Sequence, residues 1–358
     1  MGEFILVNHE KLKEFCNIVF IHIGIEKEKA EIISDLLVVS DLRGVASHGV
    51  MRLPVYAKKA LRGSINPKAS LIKLSELSSV ILYDGENGFG QINSILAMRE
   101  CVKKSENTGA CFSVIKNSNN FGAAGLVALE AARHGKIGIV FSNASPTMVP
   151  FGGSTPLLGT NPIAIAIPTM KLFPIVLDMA TSAVARDKIK VYAVMNKEIP
   201  IGWALDKEGK NTTDPKAAWE GFMLPMAGAK GYGLAVMVDI LTGVLSGGAM
   251  GHEIKKIYDE SGQGVSHFLG AINIEPFIPY VDFQDRLLKY YEYIKSSPPA
   301  DGFEKVYLPG ELEYEIEKKR VLEGVPIPYS VMQEIKDLSK ELGIETDFFN
   351  NSSYAVSG

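Results

Sequence analysis

Cysteine, charge of one sign and long apolar runs are all scarce in this sequence. The three cysteines, Cys16, Cys101 and Cys111, are odd in number and lack CxxC or metal-ligand spacing. We therefore expect reduced structural thiols and no metal site. The net charge is −4, with Lys and Arg spread along the chain, which argues against binding to nucleic acid or to a membrane surface.

The sequence also gives no sign of a targeting or membrane-spanning segment. The chain starts without the apolar core of a secretory signal, and no apolar run approaches the roughly 18 residues that span a bilayer. Together with the unpaired cysteines, this predicts a cytoplasmic protein with no membrane partner and no nucleic-acid partner.

One missing motif limits the fold. A Rossmann dinucleotide-binding unit needs GxGxxG directly after a strand and at the start of a helix, with an acid about 20 residues further on. The nearest candidates, GENGFG and FGAAG, do not fit this pattern. A nicotinamide enzyme with this sequence must therefore use a different fold.

Helical and strand-like patterns divide the chain. Residues 8–24 and 26–44 carry apolar residues at helical spacing, and each stretch ends at a glycine. Short apolar runs predict buried strands at SSVILYDG, ACFSVIKN, KIGIVFSN, NPIAIAIP, PIVLDMA and HFLGAINIEPF, with KVYLPG as a further candidate. The later predicted helices are 91–105, 123–134, 183–195, 230–246, 282–295, 311–322 and 329–342.

These patterns predict an α/β fold with a mixed sheet. At 358 residues the chain is long enough for two domains. We expect residues 78–279 to form an α/β domain. Residues 1–77 and 280–358 would pack together as a largely helical domain, and the tail NNSSYAVSG is expected to fray.

The segment SHGVMR is the first candidate for chemistry. If a helix begins near Gly49, then His48, Arg52 and Tyr56 share one face of it. Pro54 is tolerated close to a helix start. The guanidinium fork fits a carboxylate, and an imidazole can exchange a proton with a reacting oxygen, so the pair suits a 2-hydroxy or 2-oxo acid. The alternative is an ordinary loop histidine after a helix end.

Two glycine-containing loops are further candidates. In NSNNFGAAG, Asn120 can cap the following helix, whose N-terminus can meet an anion. In VPFGGSTPLLGTNPIAIAIP, Thr160 and Asn161 lie at the mouth of a strand, where polar side chains can face a pocket. The alternative for both loops is ordinary turn chemistry.

Two more segments suit a nucleotide. In VLDMATSAVARDKI, Asp178 can orient an imidazole or accept from a ribose hydroxyl, and Thr181 and Ser182 can cap a helix that faces a pyrophosphate. In AGAKGYGLAVMVDILTG, glycines around Lys230 suit a phosphate or carboxamide, and Asp239 needs a buried partner. The alternative for the first segment is that Asp178 is a loop acid and that Thr181 or Ser182 is only a helix cap. The alternative for the second segment is an apolar helix of the core.

Taken together, these segments resemble the type-2 malate/L-lactate dehydrogenase family, which includes ureidoglycolate and sulfolactate dehydrogenases and diketogulonate reductases. The resemblance runs from SDLRGVASHGVMRLPVY through NPIAIAIP, DMATS and KGYGLAVMVDILTGVLSG to YLPGE, and so spans nearly the whole chain. It implies a homodimeric NAD(P)-dependent oxidoreductase with a non-Rossmann nucleotide-binding region. The α/β domain, 78–279, would bind the cofactor, and the helical domain, 1–77 with 280–358, would lie on the substrate side and make dimer contacts. The implied active site lies between the helical and α/β parts, close to the partner subunit.

The resemblance also implies roles for matching positions. His48 looks like the proton donor, Ser47 and Arg52 its neighbours at the substrate, and Thr160 and Asn161 pocket-lining residues. The implied cofactor contacts are Asp178, Met179, Ala180, Thr181, Ser182, Ala229, Lys230, Gly310 and Glu311. The family usually reads NSxHFGAAG, with an acid–base histidine at the position of Asn120. An amide does not exchange protons near neutral pH, so proton transfer would fall to His48.

We therefore expect hydride transfer between a nicotinamide and C2 of a small 2-hydroxy or 2-oxo acid. Malate is the first choice, with Arg186 as a second cation, and Asp178 orients His48 or the cofactor. The cofactor is NAD, with NADP open. The alternatives are a lactate, ureidoglycolate, sulfolactate or cyclic-imine reductase, or a cofactor-binding relative that lacks dehydrogenase activity.

Overall fold

The computed structural model describes residues 4–349. The tail that was expected to fray, 350–358, lies outside the described residues. The strands are β1 (Phe4–Val7), β2 (Ile72–Glu76), β3 (Val80–Asp84), β4 (Ala110–Ser118), β5 (Lys136–Ser142), β6 (Ile163–Ile167), β7 (Ile175–Met179), β8 (Ala204–Leu205), β9 (Phe222–Met223), β10 (Val265–Asn273) and β11 (Val325–Pro328). The α-helices are α1 (His9–His22), α2 (Lys27–Leu42), α3 (Leu53–Leu61), α4 (Gly90–Thr108), α5 (Ala124–Arg133), α6 (Arg186–Val194), α7 (Pro215–Glu220), α8 (Ala229–Asp239), α9 (Tyr280–Lys295), α10 (Glu311–Glu323) and α11 (Tyr329–Glu341).

A seven-stranded mixed sheet forms the centre of the molecule. Its strand order is β2-β3-β4-β10-β5-β6-β7, and only the β3–β4 pair is parallel. The long strand β10 pairs with β4 on one side and with β5 on the other. Helices α4 and α5 pack on the sheet and on each other, and their apolar residues build the core cluster with strands β4, β5 and β6. The predicted mixed sheet is confirmed.

The two ends of the chain pack together as a helical layer beside this sheet. Strands β1 and β11 form an antiparallel pair in which Ile5 faces Ile327. One hydrophobic cluster combines residues of α1, α2 and α3 with residues of α11, including Phe15, Leu53 and Ile335, which are almost fully buried. Each such side chain contributes about 1.5–3 kcal/mol by leaving water. The folded position of the N-terminal helices therefore depends on their packing against the C-terminal segment.

A third, smaller cluster lies apart from these two. It joins α6, α7, the short pair β8–β9 and α8, and it includes Ile189 and Met223. Helix α8 continues into a π-helical turn, Ile240–Val244. Among residues 4–349, none of the helices is both long and apolar enough to cross a membrane.

Most predicted elements form close to their expected bounds, and three points need correction. KVYLPG is not a strand but irregular chain before α10. The helix expected near Gly49 begins only at Leu53, because Pro54 lacks an N–H and fits only the first turn of a helix. Strand β2, inside the segment 1–77 that was expected to be helical, pairs with β3 and belongs to the central sheet.

Candidate active site

A cavity of about 500 Å³ opens where the end of α2, the turn before α3, the start of α5 and the end of β7 meet. The starts of α6 and α10 lie at its remaining sides. The residues predicted for the site that line this cavity are Ser47, His48, Thr160, Asp178, Met179, Ala180, Arg186 and Gly310. Segments far apart in the chain therefore converge on one space.

His48 lies on a hydrogen-bonded turn at the wall of the cavity. The chain makes two short 3-10 turns, Ala46–His48 and Val50–Arg52, before α3 begins. The Ser47 hydroxyl lies 2.9 Å from His48 Nδ1, and Arg52 Nε donates to the Ser47 carbonyl at 2.8 Å. The Ser47 hydroxyl thus orients the Nδ1 edge of the imidazole, and the three predicted neighbours form one bonded unit.

Asp41, near the end of α2, holds this turn through the turn's own main chain. Its side chain is buried, and Oδ2 accepts a hydrogen bond from the Val50 N–H at 2.7 Å. Gly49 lies against the same carboxylate, because a Cβ there would be 2.1 Å from Asp41 Oδ1. Burial raises the pKa of Asp41 to about 7, while the Val50 N–H and the Arg320 guanidinium act in the opposite direction.

A loop between α8 and β10 reaches the outer side of the turn. We call residues 255–263 of this loop the strap. Arg52 Nη1 donates to the Tyr258 hydroxyl in the strap at 3.1 Å. Lys59, buried in α3, holds the strap by donating to two of its main-chain carbonyls at 2.7 and 2.9 Å. The strap therefore helps to orient the Arg52 guanidinium.

Asn120, where the resemblance implies a histidine, links three segments. Its Oδ1 accepts from the Tyr56 hydroxyl at 2.8 Å and from the Gly122 N–H at 3.1 Å. Its main-chain N–H donates to Gln263 of the strap at 3.0 Å. Burial raises the pKa of Tyr56, and the Arg52 charge acts against this rise. Arg52, Tyr56 and Asn120 do not line the main cavity but form a polar group next to the His48 turn.

Asp178, at the end of β7, caps helix α5. Its Oδ2 accepts from the Gly125 N–H at 2.8 Å, in the first turn of that helix. Asn120 was expected to be the cap, but it bonds the Gly122 N–H before the helix begins. The Asp178 residue keeps surface open to the cavity, yet surrounding protein atoms desolvate the carboxylate and raise its pKa to about 6. The Gly125 N–H acts in the opposite direction, and the nearby Glu313 charge adds to the rise.

The wall of the cavity is rich in groups that attract anions. Helices α5, α6 and α10 all begin there, and helix N-termini favour negative charge. Two arginines add positive side chains: Arg43 is paired with Glu317 at 2.8 Å, and Arg186 is held by the Trp219 carbonyl at 2.8 Å. Glu313 is an acid in the same lining. This donor set fits the pyrophosphate and ribose hydroxyls of a dinucleotide.

The start of α10 reaches the cavity because a glycine lets it approach β7. Gly310 has a φ of +83°, and a Cβ there would lie 2.9 Å from the Val176 nitrogen, which donates to the Pro309 carbonyl at 3.0 Å. Glu311 faces away, with Lys295 Nζ 2.6 Å from each of its carboxylate oxygens. Although burial acts to raise it, the Lys295 ammonium holds the pKa of Glu311 below its usual value.

Asn161 lies behind the wall of the cavity. It is fully buried; its Nδ2 donates to the Ala235 carbonyl at 2.9 Å, and its Oδ1 accepts from the Ala144 N–H at 3.1 Å. The side chain therefore joins α8 to two loops. Its neighbour Thr160 does line the cavity.

Thr181 and Ser182 also support the wall. Thr181 donates to the Thr160 carbonyl through its main-chain N–H at 2.9 Å and its hydroxyl at 3.0 Å. The Ser182 hydroxyl donates to the Val184 carbonyl at 2.9 Å. The N-cap of α6 is Ala185, so neither side chain caps this helix as expected.

Ala229 and Lys230 start helix α8 and are exposed, outside the lining of the cavity. Further along this helix Asp239 has the buried partners that its position required. Its two carboxylate oxygens accept from Asn143 Nδ2 at 3.0 Å and from the Gly251 N–H at 3.1 Å.

Sequence reasoning missed several residues of the site and of its support. They are Asp41, Arg43, Lys59, Tyr258, Gln263 and Glu313. The Asp41 and Arg43 side chains belong to SDLRG, directly before the His48 turn, so a charged pair at a helix end was a signal for them. The strap gives no local signal, because its role depends on contacts with Arg52, with Lys59 of α3 and with the Asn120 loop before α5.

The fully buried His267 is a structural residue of strand β10. Its ring nitrogens lie 3.0 Å from the hydroxyls of Ser142 and Ser118, and burial lowers its pKa to about 3. The imidazole therefore stays neutral. Within residues 4–349, no group of three or more His, Cys, Asp or Glu side chains is arranged to hold a metal ion.

Comparisons with known proteins assign this architecture. A sequence model of the malate/L-lactate dehydrogenase family matches residues 7–336. Malate dehydrogenase from Pyrococcus horikoshii is 40% identical over 96% of this chain and 97% of its own length. L-sulfolactate dehydrogenase from Methanocaldococcus jannaschii is 38% identical over 90% of this chain and 93% of its own length.

Solved structures agree with this assignment. The Methanocaldococcus jannaschii sulfolactate dehydrogenase superposes with a TM-score of 0.90 at 36% identity, over 95% of this chain and 98% of that one. A malate dehydrogenase from Entamoeba histolytica gives 0.91 at 33% identity, over 96% and 99% of the two chains. The resemblance and the fold class inferred from the motifs are both confirmed. The chain belongs to the malate/L-lactate dehydrogenase family, whose members are oxidoreductases that act on 2-hydroxy acids.

Proposed function

We propose that this protein interconverts malate and oxaloacetate with a nicotinamide cofactor. The observation that carries this proposal is the His48 turn, which places an imidazole at the wall of the anion-attracting cavity and bonds its neighbour Ser47 to Arg52. The malate dehydrogenase from Pyrococcus horikoshii supports the choice of substrate.

The cofactor would lie in the cavity between β7 and the starts of α5, α6 and α10. We assign its pyrophosphate to the helix N-termini with Arg186, and a ribose to Asp178 or Glu313. NAD is favoured over NADP, because two carboxylates in the lining would repel an additional phosphate. When bound, the nicotinamide supplies or accepts the hydride.

His48 would carry the proton. During reduction of the 2-oxo acid, the imidazolium donates its proton to the carbonyl oxygen as C2 receives the hydride, and in the reverse direction the neutral ring accepts it. The Arg52 guanidinium, oriented by the Ser47 carbonyl and the Tyr258 hydroxyl, binds the carboxylate. Asn120 would be a further polar group near the substrate, and the buried Tyr56 would hold its Oδ1 without touching the substrate.

The variant His48→Asn tests directly whether His48 carries the proton. With no group to exchange the proton, we expect kcat for oxaloacetate to fall by about 100-fold or more, since general acid–base catalysis contributes roughly 10²–10⁴. His22→Asn, in the exposed last turn of α1, is the matched control and should keep full turnover. Near-normal turnover by a folded His48→Asn variant would overturn the proposed role.

A panel of oxaloacetate, pyruvate, sulfopyruvate and a cyclic imino acid tests the substrate. We expect the highest kcat/KM with oxaloacetate, and a lower KM for NADH than for NADPH. The sulfolactate dehydrogenase relative makes sulfopyruvate the second candidate. If NADH binds but none of the four compounds is reduced, the protein is a cofactor-binding relative in which Asn120 has replaced the needed histidine.

We also propose a cytoplasmic homodimer. The described cysteines are free and buried, which fits a reducing compartment. Helix α8 and its π-helical turn expose a stripe of large apolar residues, Leu234, Met237, Ile240, Val244 and Leu245. A monomer rarely exposes such a contiguous stripe, so we assign this face to a second copy of the chain.

A further inference from the structure

We propose that Asp41 is a positioning residue for proton transfer, because its buried carboxylate fixes the turn that carries His48. This inference rests on the proposed role of His48. Asp41 does not line the cavity, so it would act on the reaction only through the turn.

The contact is a close fit between one carboxylate and two consecutive main-chain positions. Asp41 Oδ2 accepts from the Val50 N–H at 2.7 Å. The carboxylate also fills the space where a side chain at Gly49 would begin, 2.1 to 2.3 Å from an ideal Cβ. Both positions directly follow His48. The carboxylate therefore sets the distance between α2 and the link that joins the two 3-10 turns.

Helix α10 holds Asp41 in place from the other side. Arg320 Nη1 donates to the main-chain carbonyl of Asp41. One turn earlier, Glu317 binds Arg43, and Glu313 lies in the cavity wall. Residues 313, 317 and 320 lie on one face of the helix by their spacing. The helix that begins at the cavity therefore also fixes the base of the His48 turn.

The energetic cost of this arrangement argues for a role beyond packing. Asp41 is 4% exposed, and an ionised carboxylate at such a position is costly unless it is fully hydrogen-bonded. A small apolar residue would fill the space without this cost, but it could not bond the Val50 N–H. Misplacing a catalytic group by about 1 Å can cost roughly 100-fold in rate, so a fixed turn has catalytic value.

Three variants test the proposal. Asp41→Ala removes the acceptor and should lower kcat for the 2-oxo acid by roughly 100-fold, with the KM for NADH unchanged. Asp41→Asn keeps an oxygen for the Val50 N–H and should stay within about threefold of the parent enzyme. Asp35→Asn, which removes only the half-exposed ion pair of the same helix with Lys13, is the control and should leave kcat unchanged.

A double variant tests the spatial part of the argument. Gly49→Ala alone should lower kcat about as much as Asp41→Ala, because the new methyl group meets the carboxylate. Combined with Asp41→Ala, it should cause little further loss. Full additivity of the two losses would show that the carboxylate and Gly49 act independently, and would overturn the proposal.

Measuring His48→Asn alongside these variants separates the positioning role of Asp41 from the proposed role of His48. If His48→Asn is inactive but folded Asp41→Ala keeps the parent kcat, the positioning role is wrong and the proposed function stands. If Asp41→Ala raises the KM for NADH as much as it lowers kcat, the residue merely supports the fold, which also overturns the inference. If His48→Asn is fully active, the proposed role of His48 fails, and this inference fails with it.

Discussion

Two carboxylates with raised pKa values support the site from opposite sides. Asp41 holds the His48 turn, and Asp178 caps the helix that starts at the cavity. In both cases desolvation is the largest effect on the pKa, and one main-chain N–H opposes it. Each residue stabilises a piece of backbone at the cost of holding a poorly solvated charge at neutral pH.

Asp41 should make stability depend on pH. Its pKa rises from about 4 in the unfolded chain to about 7 in the folded protein, so folding takes up a proton between these values. The free energy of unfolding should therefore fall as the pH rises from about 4 to about 7, and then level off. Asp41→Asn should show a smaller fall, because it lacks the contribution of Asp41.

Urea unfolding of both proteins at several pH values between 4.5 and 8 measures this difference. The effect of Asp178 has the same sign, but it is present in both proteins and cancels. Parallel curves for Asp41→Asn and the parent chain would contradict the raised pKa.

Single residues were only partly predictable from the sequence. The sequence indicated His48, Ser47, Asp178 and Gly310, because each lies in a distinctive short motif. All four line the cavity. Asn161 looked similar, but both ends of its amide bond the main chain. A polar residue at the mouth of a strand can face the pocket or the protein, and sequence alone does not distinguish these orientations.

Among the elements near the site, the His48 turn and the strap depend most on contacts distant in sequence. A helix beginning near Gly49 was expected, yet two 3-10 turns precede α3. The break places His48 at the cavity while Tyr56 stays buried in the helix. Helical spacing did not show where the helix begins.

Removing the anchor of the strap should weaken substrate binding. Lys59→Met removes both hydrogen bonds to the strap carbonyls, each worth on the order of 1.5–3 kcal/mol for a charged donor. Tyr258 and Gln263 would then no longer hold Arg52 and the Asn120 loop. We expect the KM for oxaloacetate to rise about tenfold or more, with the KM for NADH unchanged.

Lys58→Met is the matched control for this measurement. Lys58 is half-exposed and forms only a surface ion pair with Glu341 at 3.4 Å, which contributes little. Steady-state kinetics of both variants decide the question. An equal effect of the two substitutions, or a change confined to NADH, would show that the strap does not position the substrate groups.

For the whole molecule, most strands of the central sheet were predictable, whereas the edge strand β2 and the β1–β11 pair were not. Strands covered on both faces read as apolar runs, so β3 to β7 and β10 were identified. Strand β2 is exposed along its whole length and gives no such signal. Strands β1 and β11 pair only because the two chain ends meet, which local patterns do not show.

The proposed dimer can be tested on the exposed face of α8. Met237 is 51% exposed, and Met237→Glu places a charge in the apolar stripe. We expect this variant to sediment as a monomer while the parent chain sediments as a dimer. Leu77→Glu, at a 71% exposed site elsewhere, should leave the dimer intact. A monomeric parent, or a dimeric Met237→Glu variant, would contradict the assignment.

The pairing of β1 with β11 has a consequence for synthesis on the ribosome. The strand that completes the N-terminal layer lies at residues 325–328, so it leaves the ribosome after every strand of the central sheet. The sheet strands β2 to β7 and β10 precede it and can assemble first. The segment that carries His48 would then wait for its last partner, and a nascent chain that stops before β11 should hold a folded sheet without an active enzyme.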